Sequence, residues 1–425
     1  EFRSDWCSHV CVSHTGHINC IHKFETRETA QRRIKVLDNK SMFCPYLLEE
    51  MMTHDKNVKE VATLFLRLGL TAFGGPAAHI ALMQREVVEK RKWMSEQHFL
   101  DLMGATNLIP GPNSTEMAIH IGHERAGWKG LIVAGLAFIL PAVIITSIFA
   151  WLYKRYGELP QVQPFVYGIK PAIIAIVLAA LYPLAKKSLK SIQLGVIGAA
   201  VLILSLLHFN EIYLMFGAGL LALALTYIKS RNTTNALFPL TFLEISNATL
   251  ITTTNANLFW IFLKIGAILY GSGYVLFAFL DSELVSTGLL SRQHLIDAIA
   301  VGQLTPGPVF SSVTFIGYQM NGWSGAAVST LAIFLPSFVF VALLNPIVTH
   351  MRNSKRFSIF LDAVNVASVA IILQVCYVMG LDSIYDWRTI IIAVAGMIVT
   401  FGFKHINSAW IVLGGSLAGY LLSLV

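Results

Sequence analysis

The stretch NLIPGPNST at residues 107–115 interrupts a strongly apolar chain, and nearly the same letters return as QLTPGPVFS at residues 303–311. Proline lacks the amide hydrogen that a helix needs, and glycine adopts backbone angles that are closed to other residues. Both stretches therefore predict a break in a helix. In a membrane protein such a break is tolerated only inside the protein or beside a wet cavity. The two breaks are thus predicted to mark a functional interior.

The composition of the chain indicates a membrane protein. Of its 425 residues, 55% are hydrophobic and 13% charged, and the mean hydropathy is +0.63. Runs such as LIVAGLAFILPAVIITSIFAWLY at 131–153 are long enough for a bilayer core, which needs about 20 apolar residues per helix. We predict an all-α polytopic membrane protein with about six hydrophobic segments in each half, a multi-pass protein of the cell membrane with the lipid bilayer as its partner.

The net charge of +7 reflects topology and not nucleic-acid binding. The cations lie mainly in the N-terminal region and in short loops between apolar runs, which is the distribution that the positive-inside rule produces. Partners are therefore sought among small anions. The oligomeric state is left open, with a homo-oligomer as one option.

The chain consists of two related halves. FLRLGLTAFGGP at 65–76 aligns with FLKIGAILYGSG at 262–273, and the Pro-Gly-Pro triplets follow at equivalent distances. A repeat of this length is typical of secondary transporters, which carry a site between the halves near the membrane midplane. The predicted domains are an N-terminal repeat at 58–229, an Asn/Thr-rich linker at 230–257 and a C-terminal repeat at 258–425.

The basic loops exchange positions between the repeats. Residues 85–98 hold four Lys or Arg in the first half, whereas their counterpart holds only Arg292; residues 350–356 are basic, whereas 154–163 hold two cations. The positive-inside rule then favours inverted repeats with Pro-Gly-Pro-broken or re-entrant helices, in which 97–121 enters and leaves on one face.

Residues 1–57 are interpreted as an extension outside the fold. Four of the five cysteines and several histidines lie there, but their spacing fits no standard zinc pattern, so no metal or cofactor is predicted. MMTHDKNVKEV from Met51 is interpreted as the natural start, and residues 1–50 as non-native or disordered. No cleavable signal peptide is recognisable.

The breaks predict an anion site. Each points a helix N-terminus, with free amides and the positive end of the dipole, into the protein; Asn113, Ser114 and Thr115 are predicted caps, and Glu116 closes the first turn. A proline kink between packed helices is the alternative. The predicted substrate-binding residues are Arg67, Lys264, Asn107, Gln303, Gly111, Asn113, Ser114, Gly307 and Ser311, and the structural or gating residues are Gly74, Gly75, Pro76, Pro110, Pro112, Gly271, Pro306 and Pro308.

Arg67 and Lys264 occupy equivalent positions in apolar helices, where a charge costs about 2.5–3.5 kcal/mol on insertion scales. Snorkelling to the interface is the structural alternative. Two cations related by the repeat suit a divalent oxyanion. Four carboxylates are candidates for coupling, and they could carry protons, cap helices or pair with Arg67 and Lys264: Glu86, Glu283, Asp101 and Asp297.

Several motifs are absent from the sequence. There is no phosphate loop of the G-x-x-x-x-G-K-[ST] type, and neither H-E-x-x-H nor G-x-S-x-G occurs. The sequence therefore favours a carrier driven by a gradient over an ATP-driven pump or a membrane enzyme.

Residues 58–425 resemble the chromate ion transporter family in its long, two-domain form, and the first repeat carries its motif. The matching features are F-G-G-P-x-x-H, the charged stretch that ends in Lys92-Trp93-Met94-Ser95, the P-G-P element, and G-x-x-x-A-G-W-x-G before an embedded proline. The second half carries a weaker version. The family motif falls on Arg67, Phe73, Gly74, Gly75, Pro76, Glu86, Trp93, Asn107, Pro110, Gly111, Pro112, Gly122 and Gly127.

The resemblance implies export of chromate across the cytoplasmic membrane, coupled to the membrane potential or a proton gradient, and hence chromate resistance. Sulfate, a dianion of similar shape, is the expected competitor. The alternatives are a carrier that takes up sulfate or another oxyanion, an anion channel and a membrane-embedded enzyme.

Overall fold

The computed structural model describes residues 9–14, 17–22, 45–73, 75–157, 159–207, 209–229, 254–271, 273–352, 354–403 and 406–424. Most of the predicted linker, much of the extension and Gly74 lie outside these ranges. The chain divides into two compact units, Glu1–Lys56 and Asn57–Val425.

The first unit contains a β-hairpin. Strand β1, His9–His14, pairs in antiparallel register with β2, His17–His22, and Cys11 lies opposite Cys20. The prediction of an all-α protein therefore applies to the second unit, where every regular element in the described residues is helical.

Seven helices belong to each repeat in the described part of the chain. The first set is α1 Pro45–Thr71, α2 Gly75–Gln84, α3 Glu96–Thr106, α4 Asn113–Tyr156, α5 Gln163–Ser188, α6 Ile192–Leu206 and α7 Glu211–Lys229. The second set is α8 Asn255–Ile268, α9 Val275–Leu280, α10 Arg292–Leu304, α11 Ser312–Arg352, α12 Lys355–Ser383, α13 Trp387–Gly402 and α14 Ser408–Ser423.

The count of about six segments per repeat is not confirmed, because the glycine-containing breaks after α1 and α8 separate the short helices α2 and α9. Both short helices continue into π-helical turns, Arg85–Lys90 and Asp281–Val285. Four helical stretches in the described residues are long and apolar enough to cross a membrane: Asn113–Tyr156, Gln163–Ser188, Val309–Leu343 and Arg356–Ser383.

Helices α4 and α11 each bend sharply at a glycine. The backbone of α4 departs from helical angles at Ala126 and Gly127, with φ of +58° at Gly127. Gly122 and Gly130 then approach so closely that neither has room for a Cβ. In a straight helix residues eight apart lie about 12 Å from each other, so the chain reverses at this point. Helix α11 repeats the bend at Asn321 and Gly322.

An apolar stripe covers the outer face of α4. Its exposed side chains recur every four residues, which is the spacing of one helix face. A protein in water would bury such a stripe, whereas lipid tails accept it. The fold is therefore that of a helical membrane protein, and the stripe consists of Ile132, Leu136, Leu140, Ile144 and Ile148.

Equivalent helices of the two repeats pack against the opposite repeat. Helix α5 of the first repeat packs against α13 and α14 of the second, while α12 of the second packs against α6 and α7 of the first. Gly168 of α5 lies against Gly415 and Gly419 of α14, so the absence of side chains lets these backbones meet. The exchanged helices bring the two Pro-Gly-Pro breaks to the boundary between the repeats.

Candidate functional site

Each Pro-Gly-Pro break is the turn of a helical hairpin; we call residues 107–112 the first tip and residues 303–308 the second tip. In the first repeat, His98 near the start of α3 lies 3.4 Å from Glu124, just before the bend in α4. The two arms therefore run side by side. The arms, Glu96–Thr106 and residues 113–125, are each too short to cross a bilayer core of about 30 Å.

Each tip is fixed by a hydrogen bond from its glycine amide to a backbone carbonyl of the other repeat. The Gly111 amide donates to the carbonyl of Leu269, 2.8 Å away at the end of α8. The Gly307 amide donates to the carbonyl of Ala72, also at 2.8 Å, just after α1. Ala72 and Leu269 are equivalent residues of the two repeats. The tips consequently lie at the centre of the duplicated structure, each held by the other half.

The surroundings of the first tip are buried and polar. Gly111 has a φ of +138°, and a Cβ there would collide with Glu116 Oε1 and lie 2.7 Å from Ser337 Oγ. Both Glu116 and Ser337 are fully buried. Glu116 therefore points back towards the tip and does not close the first turn of α4 as a cap.

The predicted caps are not formed. Pro112 is the N-cap residue of α4 and offers no side-chain cap. In the second repeat Pro308 precedes a 3-10 turn, Val309–Ser311, again without a side-chain cap. The prediction that Asn113, Ser114 and Thr115 cap the helix is wrong, because a proline occupies the position that a capping side chain would need.

The second tip is surrounded by hydroxyl groups and carries no equivalent carboxylate. The Thr146 hydroxyl of α4 lies 3.4 Å from each of the Thr305 and Ser311 hydroxyls across the repeat boundary. Gln303 is buried, and its side chain interacts with the Tyr274 hydroxyl. The position of Glu116 is taken by Ser312. The two tips thus share a backbone but differ in charge.

A cavity of about 260 Å³ with both polar and apolar lining residues opens beside the first tip. Asn113 donates to Asn107 Oδ1 at 2.9 Å, and Lys190 pairs with Asp362 at 2.7 Å. Lys187 adds a second cation, so the lining holds more lysines than carboxylates. Amide donors and excess positive charge suit an oxyanion. The residues that the cavity brings together are Asn107, Asn113, Lys187, Lys190, Gly271, Asp362 and Asn365.

Arg67 and Lys264 form equivalent ion pairs away from this cavity lining. Arg67 lies 3.2 Å from Glu86, and Lys264 lies 2.6 Å from Glu283. Both cations are exposed, with 57% and 45% of their side chains accessible. The pairing of Glu86 and Glu283 with these cations, one of the predicted options, is the arrangement that the structure contains.

Glu86 is held in its charged form by the cations around it. The Lys90 ammonium donates to its carboxylate at 2.7 Å, and this bond, with the charges of Arg67, Lys90 and Arg91, lowers the pKa of Glu86 below its ordinary 4.5 despite the opposing effect of burial. Because the folded pKa lies below the unfolded one, the pairing stabilises the protein above pH 4.5 and is lost as the pH falls through the lowered pKa.

We therefore expect Glu86→Gln to lower the melting temperature in detergent at pH 7 and to match the wild type at a pH below the lowered pKa. Thermal unfolding measured across this pH range would check it. Glu89→Gln, on the same turn, is the control. An unchanged melting temperature at pH 7 would contradict the expectation.

Asp297 lies in a buried ion pair between the repeats. Its carboxylate accepts a hydrogen bond from the Tyr153 hydroxyl at 2.5 Å, and Lys170 of α5 lies 3.9 Å away. Only 4% of the Asp297 side chain and 12% of the Lys170 side chain are accessible. The equivalent Asp101 is instead half-buried and accepts from Gln97.

The remaining predicted residues lie close to the tips. Ser114 and Ser311 are buried in the first turns after each break. Gly75, with φ of +81°, starts α2 beside the Tyr274 hydroxyl. Pro110, Pro112, Pro306 and Pro308 flank the tip glycines, and Pro76 follows Gly75 in α2. Gly74 lies outside the described residues.

The family assignment follows from comparison with known proteins. The model of the chromate transporter family matches residues 59–223 and again residues 256–420, one match in each repeat. The chain belongs to the chromate transporter family. Members of the chromate transporter family are transport proteins and not enzymes, and the family resemblance predicted from the sequence is confirmed.

The relatives of the chain cover most of its length. A probable chromate transport protein of Synechococcus elongatus is 29% identical over 86% of this chain and 95% of its own. Chromate transport proteins of Cupriavidus metallidurans and Pseudomonas aeruginosa are 30% and 26% identical over 85% and 84% of this chain, and over 92% and 91% of their own lengths. No solved structure matches the chain.

Sequence reasoning missed three features of the site. Lys187 and Lys190 were assigned to a topological loop, but they line the cavity. The pairing of Lys170 with Asp297 across the repeats was not predicted. Glu116 was assigned to a cap. An ionisable residue in an apolar segment is a functional candidate by default, and that signal pointed to Glu116.

Proposed function

We propose that the protein is a secondary active transporter that exports chromate across the cell membrane, driven by a gradient and without ATP. The observation that carries this proposal is the pair of tips, each held by the opposite repeat, beside a cation-rich cavity. The names of the relatives support chromate as the cargo. Sulfate, a dianion of the same shape, is the expected competitor.

The substrate path begins in the cavity beside the first tip. Asn107, Asn113 and Lys187 supply donors and charge, and a dianion passing inward next reaches the first tip, where the Gly111 amide is already bonded to the Leu269 carbonyl. Donors already fixed in a protein bind an anion without the cost of reorganising water. Arg67 and Lys264 contribute in a second state, in which they exchange their carboxylate partners for the oxyanion.

Alternating access follows from movement of one repeat against the other around the tips. The repeats lie in inverted orientation, which the exchange of basic loops between the halves supports. Tips anchored across the boundary tie the two hairpins together, so that opening on one face accompanies closing on the other.

Chromate flux into vesicles that contain the purified protein, with an imposed potential, would test this function. We expect saturable flux that sulfate inhibits. Loss of a charge-assisted contact costs about 1.5–3 kcal/mol, so Lys187→Ala should raise the chromate concentration for half-maximal flux about 10-fold or more. Arg67→Ala should reduce maximal flux if Arg67 takes part in the cycle.

Lys186→Ala is the matched control, because Lys186 is the exposed neighbour of Lys187 and does not line the cavity. Equal behaviour of the three variants would place the substrate path elsewhere. Flux that does not saturate with chromate would identify a channel, and no flux of either anion would overturn the proposed cargo.

A further inference from the structure

The carboxylate of Glu116 has no counter-charge. It is fully buried, and neither of its oxygens makes a hydrogen bond of normal geometry within the described part of the chain. Ser337 Oγ, which faces it across the open side of Gly111, is a hydroxyl and brings no charge that could balance the carboxylate. An unpaired buried charge costs several kcal/mol. Something absent from the chain itself must therefore compensate Glu116.

The groups around Glu116 cannot supply the missing charge. The first tip presents the Gly111 backbone, α11 presents Ser337, and the phenol of Tyr270 after α8 is near enough to interact electrostatically. On its own helix the neighbouring titratable group is the buried His120, whose ring nitrogens have no partner in the described residues. No Lys or Arg in the ranges that the structure describes forms an ion pair with Glu116.

A proton fits this site better than a metal ion does. Hard cations such as Ca²⁺ and Mg²⁺ take six or more oxygen ligands, whereas Glu116 and Ser337 supply one carboxylate and one hydroxyl. A proton needs only one oxygen of the carboxylate. The resulting O–H of Glu116 can then donate a hydrogen bond to Ser337 Oγ. Around the second tip the corresponding positions are Ser312 and, from the first repeat, Ala142, so in the described residues the site occurs once.

We infer that Glu116 is a proton-binding group, and that the proton is carried together with the oxyanion. The inference rests on the proposed function. A charged Glu116 repels a dianion at the neighbouring tip, whereas a protonated Glu116 offers it a donor, so the two bind together. On the far side the O–H bond breaks and the proton leaves with the anion. One proton and one dianion carry one net negative charge, which a potential negative inside drives outward.

Vesicle transport with the membrane potential clamped at zero tests the coupling. A pH gradient, acidic on the side of the chromate, should drive wild-type accumulation on the other side. The Glu116→Gln variant resembles the protonated state, so we expect it still to exchange chromate when the pH is equal on both sides. Its chromate accumulation in the pH gradient should fall at least 10-fold. Protonation of chromate itself is the same for both proteins, so it does not produce the difference.

Glu124→Gln is the matched control, since Glu124 lies on the same helical arm but is 38% accessible and paired with His98. It should accumulate chromate like the wild type. Accumulation by Glu116→Gln at the wild-type level would overturn the inference. So would wild-type accumulation that follows a sodium gradient and ignores the pH gradient.

Infrared difference spectra between acidic and alkaline pH separate this inference from the proposed cargo. A protonated carboxylic acid has its own C=O band, and we expect a titrating band in the wild type and Glu124→Gln that is missing from Glu116→Gln. This measurement needs no transported anion. Absence of the band would overturn the proton site, whereas its presence without chromate flux would overturn the cargo alone.

Discussion

Gly111→Ala is expected to abolish chromate flux and to destabilise the protein by roughly 2–6 kcal/mol. About 1–3 kcal/mol comes from holding alanine at a positive φ, and a similar amount from overpacking, because the new methyl would collide with Glu116 and Ser337. Net stabilities of folded proteins are about 5–15 kcal/mol, so the loss is a large fraction. Flux in vesicles and thermal unfolding in detergent would measure both effects.

Gly127→Ala separates backbone strain from the collision. Gly127 also has a positive φ, +58°, but nothing lies within 4 Å of a Cβ built there. At φ +58° and ψ −148°, angles that glycine favours, alanine costs about 1–3 kcal/mol of backbone strain, and flux should survive. Suppose that the two variants lose stability and flux equally. The steric collision of a Cβ with Glu116 and Ser337 would then not be the reason that residue 111 must be glycine.

Lys170→Met is expected to cost about 3–5 kcal/mol of stability, because it leaves the Asp297 carboxylate charged and buried without its cation. Asp297→Asn should lower the stability by a similar amount, because it leaves the Lys170 ammonium charged and buried without its carboxylate. The double variant should recover most of the loss, since removal of both charges is often neutral or stabilising. Unfolding of the two single variants and the double variant would give the coupling energy.

Transport by the double variant assigns a role to this pair. A stable double variant with normal flux identifies Lys170 and Asp297 as a structural link between the repeats. A stable double variant without flux places Lys170 on the anion path. Glu60→Gln breaks a pair with Arg125 in which about a third of each side chain is accessible, and it serves as control, with an expected effect of about 1 kcal/mol or less. Single variants as stable as this control would contradict the expectation.

The breaks and the duplication were predictable because residue type determines them. Pro-Gly-Pro cannot continue a helix, and equivalent residues of a repeat can be aligned by eye. The partners of the tips were not predictable, because Ala72 and Leu269 contribute backbone carbonyls and no residue type encodes such a contact. The glycine bends were visible as the matched Gly127 and Gly322, but a glycine in an apolar run does not by itself specify a reversal.

The sequence showed where the charged residues lie, but it predicted less well which groups they pair with or which cavity they line. Arg67 and Glu86 lie 19 residues apart, and the sequence offered their pairing as one option among several. Lys187 and Lys190 looked like topological cations, because a loop that faces water and a loop that lines a cavity have the same composition. Glu116 lies four residues after Pro112, the second proline of the first tip, and only its burial distinguishes it from a capping residue.

The bond between Gly111 and Leu269 also imposes an order on biosynthesis. The first hairpin leaves the ribosome well before the end of α8 exists, and at about 5–20 residues per second the interval is roughly 10–30 s. During that time the Gly111 amide has no carbonyl to bind, and α5 has no α13 or α14 beside it. The nascent first half therefore stays in the membrane for this time with the surface that later contacts the second repeat uncovered. A chaperone or insertion factor would shield this surface during the same period.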